Sequence, residues 1–166
     1  LDYCLAHKLT KVAVITVANA FGESGLQQLE QQAQTAKISI VAKETFGPND
    51  TNMTSQIMRL RSKKPQAVIC WGTNPGPAVV AKNMKTLGFN VPLIMSHGIA
   101  NRKFIELAGD SANGVVFPAG KLLVAQSLPE TAPQRQVLIQ YADHFERTYQ
   151  READTFGGHA YDAFML

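Results

Sequence analysis

The side chains able to do chemistry in this 166-residue chain are few and lie far apart. His7, His97, His144 and His159, with Cys4 and Cys70, show no spacing that would set two metal ligands on one helix face or pair a nucleophile with a base. No metal site is expected. Gly22-Glu23-Ser24-Gly25 lacks the glycine two places after the serine that a nucleophile elbow requires. The stretch from Gly72 to Gly76 has neither the length nor the Lys-Ser/Thr pair of a phosphate loop, and no G-x-G-x-x-G follows the first apolar run. No cofactor is expected, and the chain reads as a binding module, not an enzyme. What remains is a set of hydrogen-bonding and stacking groups: Asn19, Ser24, Thr73, Asn74, Ser96, His97 and Asn101, with Phe21 and Trp71. Their chemistry is recognition of a small molecule.

These residues belong together because of what precedes them. KVAVITV runs into ANAFGESG, PQAVIC into WGTNPGP, and VPLIMS into HGIANRK. Each apolar run stops at a short polar loop and a helical pattern starts directly behind it. Strand alternating with amphipathic helix implies a parallel sheet covered on both faces, and such sheets take ligands just beyond the carboxyl ends of their strands. The fold class expected is therefore α/β, a three-layer α-β-α sandwich on a five-stranded parallel sheet in order 2-1-3-4-5. Strands are predicted near residues 12–17, 38–45, 67–70, 93–95 and 114–117. His97 directly follows a buried run and sits at the ligand-facing edge. Asn19 and Asn74 are read equally well as turn or cap residues and as ligand-binding groups, and Asn101 better as a turn or cap residue. Phe21 and Trp71 are weighed evenly between core packing and ligand stacking.

Asp50 or Thr51 is expected to cap the helix carrying Met53, Ile57 and Leu60, which Pro65 ends. Gly88 and Gly109 read as left-handed helix stops. Beyond Pro118 the rhythm breaks into an irregular stretch, PAGKLLVAQSLPETAP, that reads as a crossover. A long helix then aligns Leu138, Tyr141, Phe145 and Tyr149, and a last helix begins near Gly157. No strand accompanies these two, so residues from about 126 to 166 are expected not to complete the sheet. Their apolar face is expected to be covered by another copy of the chain or left unusually exposed.

The formal charge is +3, with basic residues scattered apart from Arg59, Arg61, Lys63 and Lys64. Those end a helix, where cations complement its dipole, so no nucleic-acid partner is expected. No apolar stretch approaches the eighteen or so residues of a membrane span, and no direct membrane insertion is expected. Leu1 opens in what reads as the end of a helix and Leu166 closes inside one. The chain is accordingly expected to be part of a longer protein, with a signal peptide upstream.

Taken together, KVAVITVANAFGESG, NDTNMTSQIMRLRSKKPQAVICWGTNPGPAVVAKNMKTLG, VPLIMSHGIAN and FIELAGDSANGVVFPAG resemble, in order and spacing, the type I periplasmic binding proteins of the branched-chain amino acid class. These are receptor subunits of ABC importers, built of two flavodoxin-like lobes that close over a small molecule. The resemblance implies that residues 1–118 are the second ligand-binding lobe, 119–132 an interlobe crossover, and 133–166 helices that return to the first lobe. It implies a periplasmic or extracellular protein with ABC permease subunits as partners. Ligand contacts carried over by position fall at three places, Phe21, Thr73 with Asn74 beside it, and His97; Asn19, Ala20, Trp71 and Gly98 next to them complete the expected ligand-binding set. His97 stands where amino-acid-binding members carry an acidic residue that pairs with the ligand's ammonium group. An imidazole donates hydrogen bonds and as a cation favours an anion, so the expected ligand is an apolar or aromatic carboxylate ahead of a branched-chain amino acid. Sensor ectodomains and repressor effector domains share this lobe and are the alternative. A flavodoxin-like enzyme would need a catalytic constellation that the sequence lacks.

Overall fold

The computed structural model describes residues 1–165. The six consecutive buried residues Val12–Val17 explain the architecture, because a strand apolar on both faces must be central and covered twice. This strand, β1 (Lys11–Val17), lies between β2 (Ser39–Phe46) and β3 (Ala67–Trp71), and β3 pairs with β4 (Leu93–Met95). All three pairings are parallel and the order is β2-β1-β3-β4. The side chains of β1 alternate between two layers. Ala13, Ile15 and Val17 join Ile57 and Leu60 of α3 (Thr54–Ser62), Met53 just before it, and Val80 and Met84 of α4 (Gly76–Thr86). Val12 and Val14 join Leu29 and Ala33 of α2 (Ala20–Thr35) and Cys4 of α1 (Asp2–Ala6). The result is the three-layer α/β sandwich.

The sheet has four strands where five were expected. Residues Gly114–Phe117 reach β4 through a single parallel bridge, Ile94 to Val116. The Met95 N–H donates to the Val116 carbonyl at 2.7 Å and the Val116 N–H to the Leu93 carbonyl at 3.0 Å. Gly114 at φ +80° turns the chain into this segment and Pro118, lacking an N–H, follows it, leaving too few residues for a ladder. The start of α3 also differs. Asp50 caps no helix: its carboxylate accepts from the Gly47 N–H at 2.8 Å and closes the turn after β2. Thr51 does not cap it either. Asn52 accepts from the Thr54 N–H at 2.9 Å and Asn83 of α4 from the Met53 N–H at 2.7 Å. The bidentate pair of Arg59 with Glu44, 2.7 Å on both arms, ties α3 to β2 and holds the Glu44 carboxyl below its ordinary range.

Cys4 and Cys70 are free, fully buried, and in different layers of the sandwich. Burial raises both thiols above the ordinary range, which disfavours the reactive thiolate. Neither is expected to react with a thiol-specific reagent under native conditions. Both should titrate at once in denaturant, and a colorimetric thiol count before and after unfolding checks this.

The chain divides into two compact units. The first holds Leu1–Ile99 and Lys103–Phe117, including the sheet, α1 to α4 and α5 (Arg102–Ala108) apart from its first residue. The second holds Ala100–Arg102 and the chain from Pro118 onwards, with a 3-10 segment over Lys121–Ser127, α6 (Arg135–Tyr149) and α7 (Thr155–Met165). Among the described residues no strand follows β4 and no residue of α6 is buried. Tyr141, Phe145 and Tyr149 form a chain of ring contacts along α6, and Tyr149 remains 60% exposed.

Candidate functional site

Three loops leave the carboxyl ends of β1, β3 and β4, and each delivers one ring to a common point. Phe21 lies in the first turn of α2, Trp71 ends β3, and His97 opens a 3-10 turn after β4. The Phe21 and Trp71 centroids are 5.9 Å apart with their planes tilted by 37°. The His97 imidazole stands nearly perpendicular to both, 5.8 Å from Phe21 and 6.1 Å from Trp71. These separations are those of interacting aromatic pairs. Phe21 packs against one apolar layer and Trp71 against the other, so the cluster caps the seam between them.

The backbone beneath is tightly held. Asn19 is the N-cap of α2, its side chain accepting from the Gly22 N–H at 3.1 Å, and that bond fixes where Phe21 begins. Asn19 thus serves as a cap, one of the two roles open to it from sequence. Gly22 lies so close to β1 that a Cβ there would stand 1.8 Å from the Val17 carbonyl oxygen. Ser96, 1% exposed, joins the other two loops: its hydroxyl donates to the Gly72 carbonyl at 3.0 Å, and its N–H donates to the Cys70 carbonyl at 3.0 Å. Gly98 is backed onto the same Gly72 carbonyl, 2.6 Å from where its Cβ would be. Trp71 and His97 are therefore set by one cross-link between neighbouring strand ends.

Of the remaining candidates, Ala20 and Thr73 are exposed beside this cluster in sequence, and Asn74 is half-buried ahead of a cis peptide to Pro75. Gly25 escaped sequence reading. A Cβ at Gly25 would lie 2.3 Å from the Trp71 indole nitrogen, so the indole is seated on bare helix backbone. Its N–H is buried there without an acceptor, which leaves Trp71 offering a ring face and no hydrogen bond to a ligand. The signal was available: Gly22, Gly25, Leu29 and Ala33 follow one another on the buried face of α2, small residues first. A groove of about 560 Å³ along α1 and α2, lined by Leu1, Leu5, Gln28 and Gln32, shares only Trp71 with the ring cluster. The ring cluster itself is an open wall. Among the described residues no group of three His, Cys, Asp or Glu side chains could hold a metal ion, and no helix is long and apolar enough to cross a membrane.

The structure is thus a parallel sheet wound with helices on both faces, with an aromatic and polar wall at its carboxyl edge. A family model described as periplasmic binding protein matches residues 1–166, and the chain belongs to that family, whose members bind solutes and are not enzymes. An extracellular ligand-binding receptor from Rhodopseudomonas palustris HaA2 superposes with a TM-score of 0.90 at 24% identity, over 98% of this chain and 46% of that one. The branched-chain amino acid transporter substrate-binding protein LivJ of Streptococcus pneumoniae, solved with isoleucine, superposes at 0.78 with 21% identity, over 98% and 44%. A Leu/Ile/Val-binding protein of Rhizobium johnstonii is 23% identical over 107 residues, 64% of this chain and 29% of that protein. The fold is that of the type I periplasmic binding proteins, and the chain spans less than half the length of these relatives.

Proposed function

We propose that this chain is one lobe of a solute-binding receptor that captures a small organic ligand in the periplasm or extracellular space and presents it to the permease of an ABC importer. In this reading residues 1–118 are the second ligand-binding lobe, 119–132 the crossover, and 133–166 return to a first lobe. The observation that carries it is the convergence of Phe21, Trp71 and His97 from three separate loops on the carboxyl edge of the sheet. Phe21 and Trp71 offer ring faces to the apolar part of the ligand. Asn19, Ala20, Thr73, Asn74 and Gly98 border it, and His97 donates to its polar end. With an imidazole in place of an acid, this wall suits an apolar or aromatic carboxylate better than the ammonium group of a branched-chain amino acid.

Trp71 is the only tryptophan in the chain, so its fluorescence reports on the site directly. In a protein carrying both lobes, with any tryptophan outside this chain replaced by phenylalanine, titration with aromatic carboxylates is expected to change that emission saturably, and leucine or isoleucine to change it less. A response to leucine alone would transfer the site to amino acids. No response to either class, with Trp71 still in its native emission, would sink the receptor reading.

A further inference from the structure

The opposite edge of the sheet carries a feature that the linear sequence disperses. Lys8, Lys37 and Lys64 precede β1, β2 and β3, and all three adopt left-handed backbone conformations, with φ of +56°, +55° and +50°. Lys11 is the first residue of β1 and pairs with Ser39, the first of β2, while Val12 pairs with Ala67, the first of β3. Neighbouring strands lie about 4.8 Å apart. The register therefore gathers Lys8, Lys11, Lys37, Lys63 and Lys64 on three adjacent loops at the amino edge. All five are exposed, and none of their ammonium groups has a hydrogen-bond or ion-pair partner among the described residues. The three loops, residues 7–11, 35–39 and 62–66, contain no Asp or Glu. The two arginines nearby in sequence are already engaged, Arg59 with Glu44 and Arg61 with the Leu87 carbonyl at 2.8 Å.

The platform is rigid. The Ser39 N–H donates to the Thr10 carbonyl at 2.7 Å, the Gln66 N–H to the Lys11 carbonyl at 2.8 Å, and the Gln66 side-chain carbonyl accepts from the Thr10 and Lys11 N–H groups at 2.8 and 2.9 Å.

We propose that this five-lysine edge is a docking surface for an anionic lipid bilayer, adsorbing the lobe with its ring cluster turned away from the lipid. The chemistry selects the partner. A protein interface would need a buried apolar or aromatic anchor, and the three loops expose none; Pro65 is buried and Leu9 half-buried. A nucleic acid would call for stacking rings or for arginine forks, and the loops offer neither to a polyanion beyond His7, which stacks on Tyr3. Flexible point charges on a hydrogen-bonded backbone edge match a surface of many equivalent phosphates, where each lysine adds its share independently and ordinary salt screens the sum.

The test is sedimentation of the chain with vesicles of phosphatidylcholine alone and with about 30% phosphatidylglycerol, at low and at roughly physiological-to-high ionic strength. Binding to the anionic vesicles that weakens with salt, and none to the neutral ones, is expected. Replacing Lys8, Lys11, Lys37, Lys63 and Lys64 together by Gln should lower partitioning by a hundred-fold or more, at about five-fold per lysine. A second variant with the same net charge, neutralising Lys82, Lys103, Lys121, Arg147 and Arg151 on other elements, should keep most of it. If the edge variant melts early, Lys37→Gln and Lys64→Gln singly should each lower binding by a few fold in a folded protein. Equal loss in the two charge-matched variants, equal binding to neutral vesicles, or no binding to anionic vesicles at low salt overturns the proposal. So does retention on immobilised polyglutamate without vesicle binding, which assigns the edge to an acidic protein.

Discussion

Gly22→Ala is expected to destabilise the first unit by about 3 kcal/mol or more, a large share of the roughly 5–15 kcal/mol that holds a domain of this size together. The added methyl would sit 1.8 Å from the Val17 carbonyl oxygen and 2.8 Å from its carbon, and these are backbone atoms of the central strand that cannot rotate away. Relief requires α2 to lift from β1, which breaks the bond from the Gly22 N–H to Asn19 and withdraws Phe21 from the ring cluster. The better helix propensity of alanine, about 1 kcal/mol, offsets only part of this. Gln28→Ala on the exposed side of α2 is the control, expected to stay within about 0.5 kcal/mol of the parent. Urea unfolding followed by circular dichroism decides it. Equal midpoints for Gly22→Ala and the parent would show that the close approach of α2 to β1 is absent in solution.

His97→Ala is expected to weaken binding of a carboxylate ligand about ten-fold or more in the receptor of which we propose this chain is a lobe. Losing a hydrogen bond to a charged group costs about 1.5–3 kcal/mol, and about 1.4 kcal/mol is ten-fold in affinity. His97→Glu should weaken it further, since it sets a carboxylate against a carboxylate, and should improve recognition of an ammonium group. The motive is geometric: His97 is exposed at the mouth of the cluster, within 5.8 to 6.1 Å of two rings that could flank an apolar ligand. Calorimetry on the three proteins with an aromatic acid and with leucine gives the answer. Unchanged affinity in His97→Ala, or tight binding of leucine by the unaltered protein, would remove the case for an anion-preferring site.

Much of this architecture was readable from the residues because the signals are local. An unbroken apolar run marks a strand covered on both faces, and the loop behind it must lie at the carboxyl edge, which is how Phe21, Trp71 and His97 could be grouped before any coordinates. What escaped depends on register or on competition. Asp50 is a good cap by type, but the turn after β2 claims its carboxylate first. The run Gly114–Phe117 looks like a strand, yet a glycine on one side and a proline on the other leave it a single bridge. Gly25 reads as a weak helix residue until the indole resting on it is seen. The lysine edge is the clearest case: Lys8, Lys37 and Lys64 are separated by more than twenty-five residues each, and only the pairing of β1 with both neighbours brings them together.

The sheet's two margins are unequally protected. The outer strand β2 bears charged side chains, Lys43 paired with Glu30 and Glu44 with Arg59, which discourage a stray strand from adding to it. The opposite strand is Leu93-Ile94-Met95, wholly apolar, and among the described residues its outer side pairs with the chain at one bridge, to Val116. That cover lies about twenty residues downstream, roughly one to four seconds of ribosomal synthesis. During that interval a nascent sheet presents an uncharged, sticky margin to any neighbouring chain. Its exposure to misassembly is then greatest before Val116 is in place, a hazard that the stability of the finished unit does not measure.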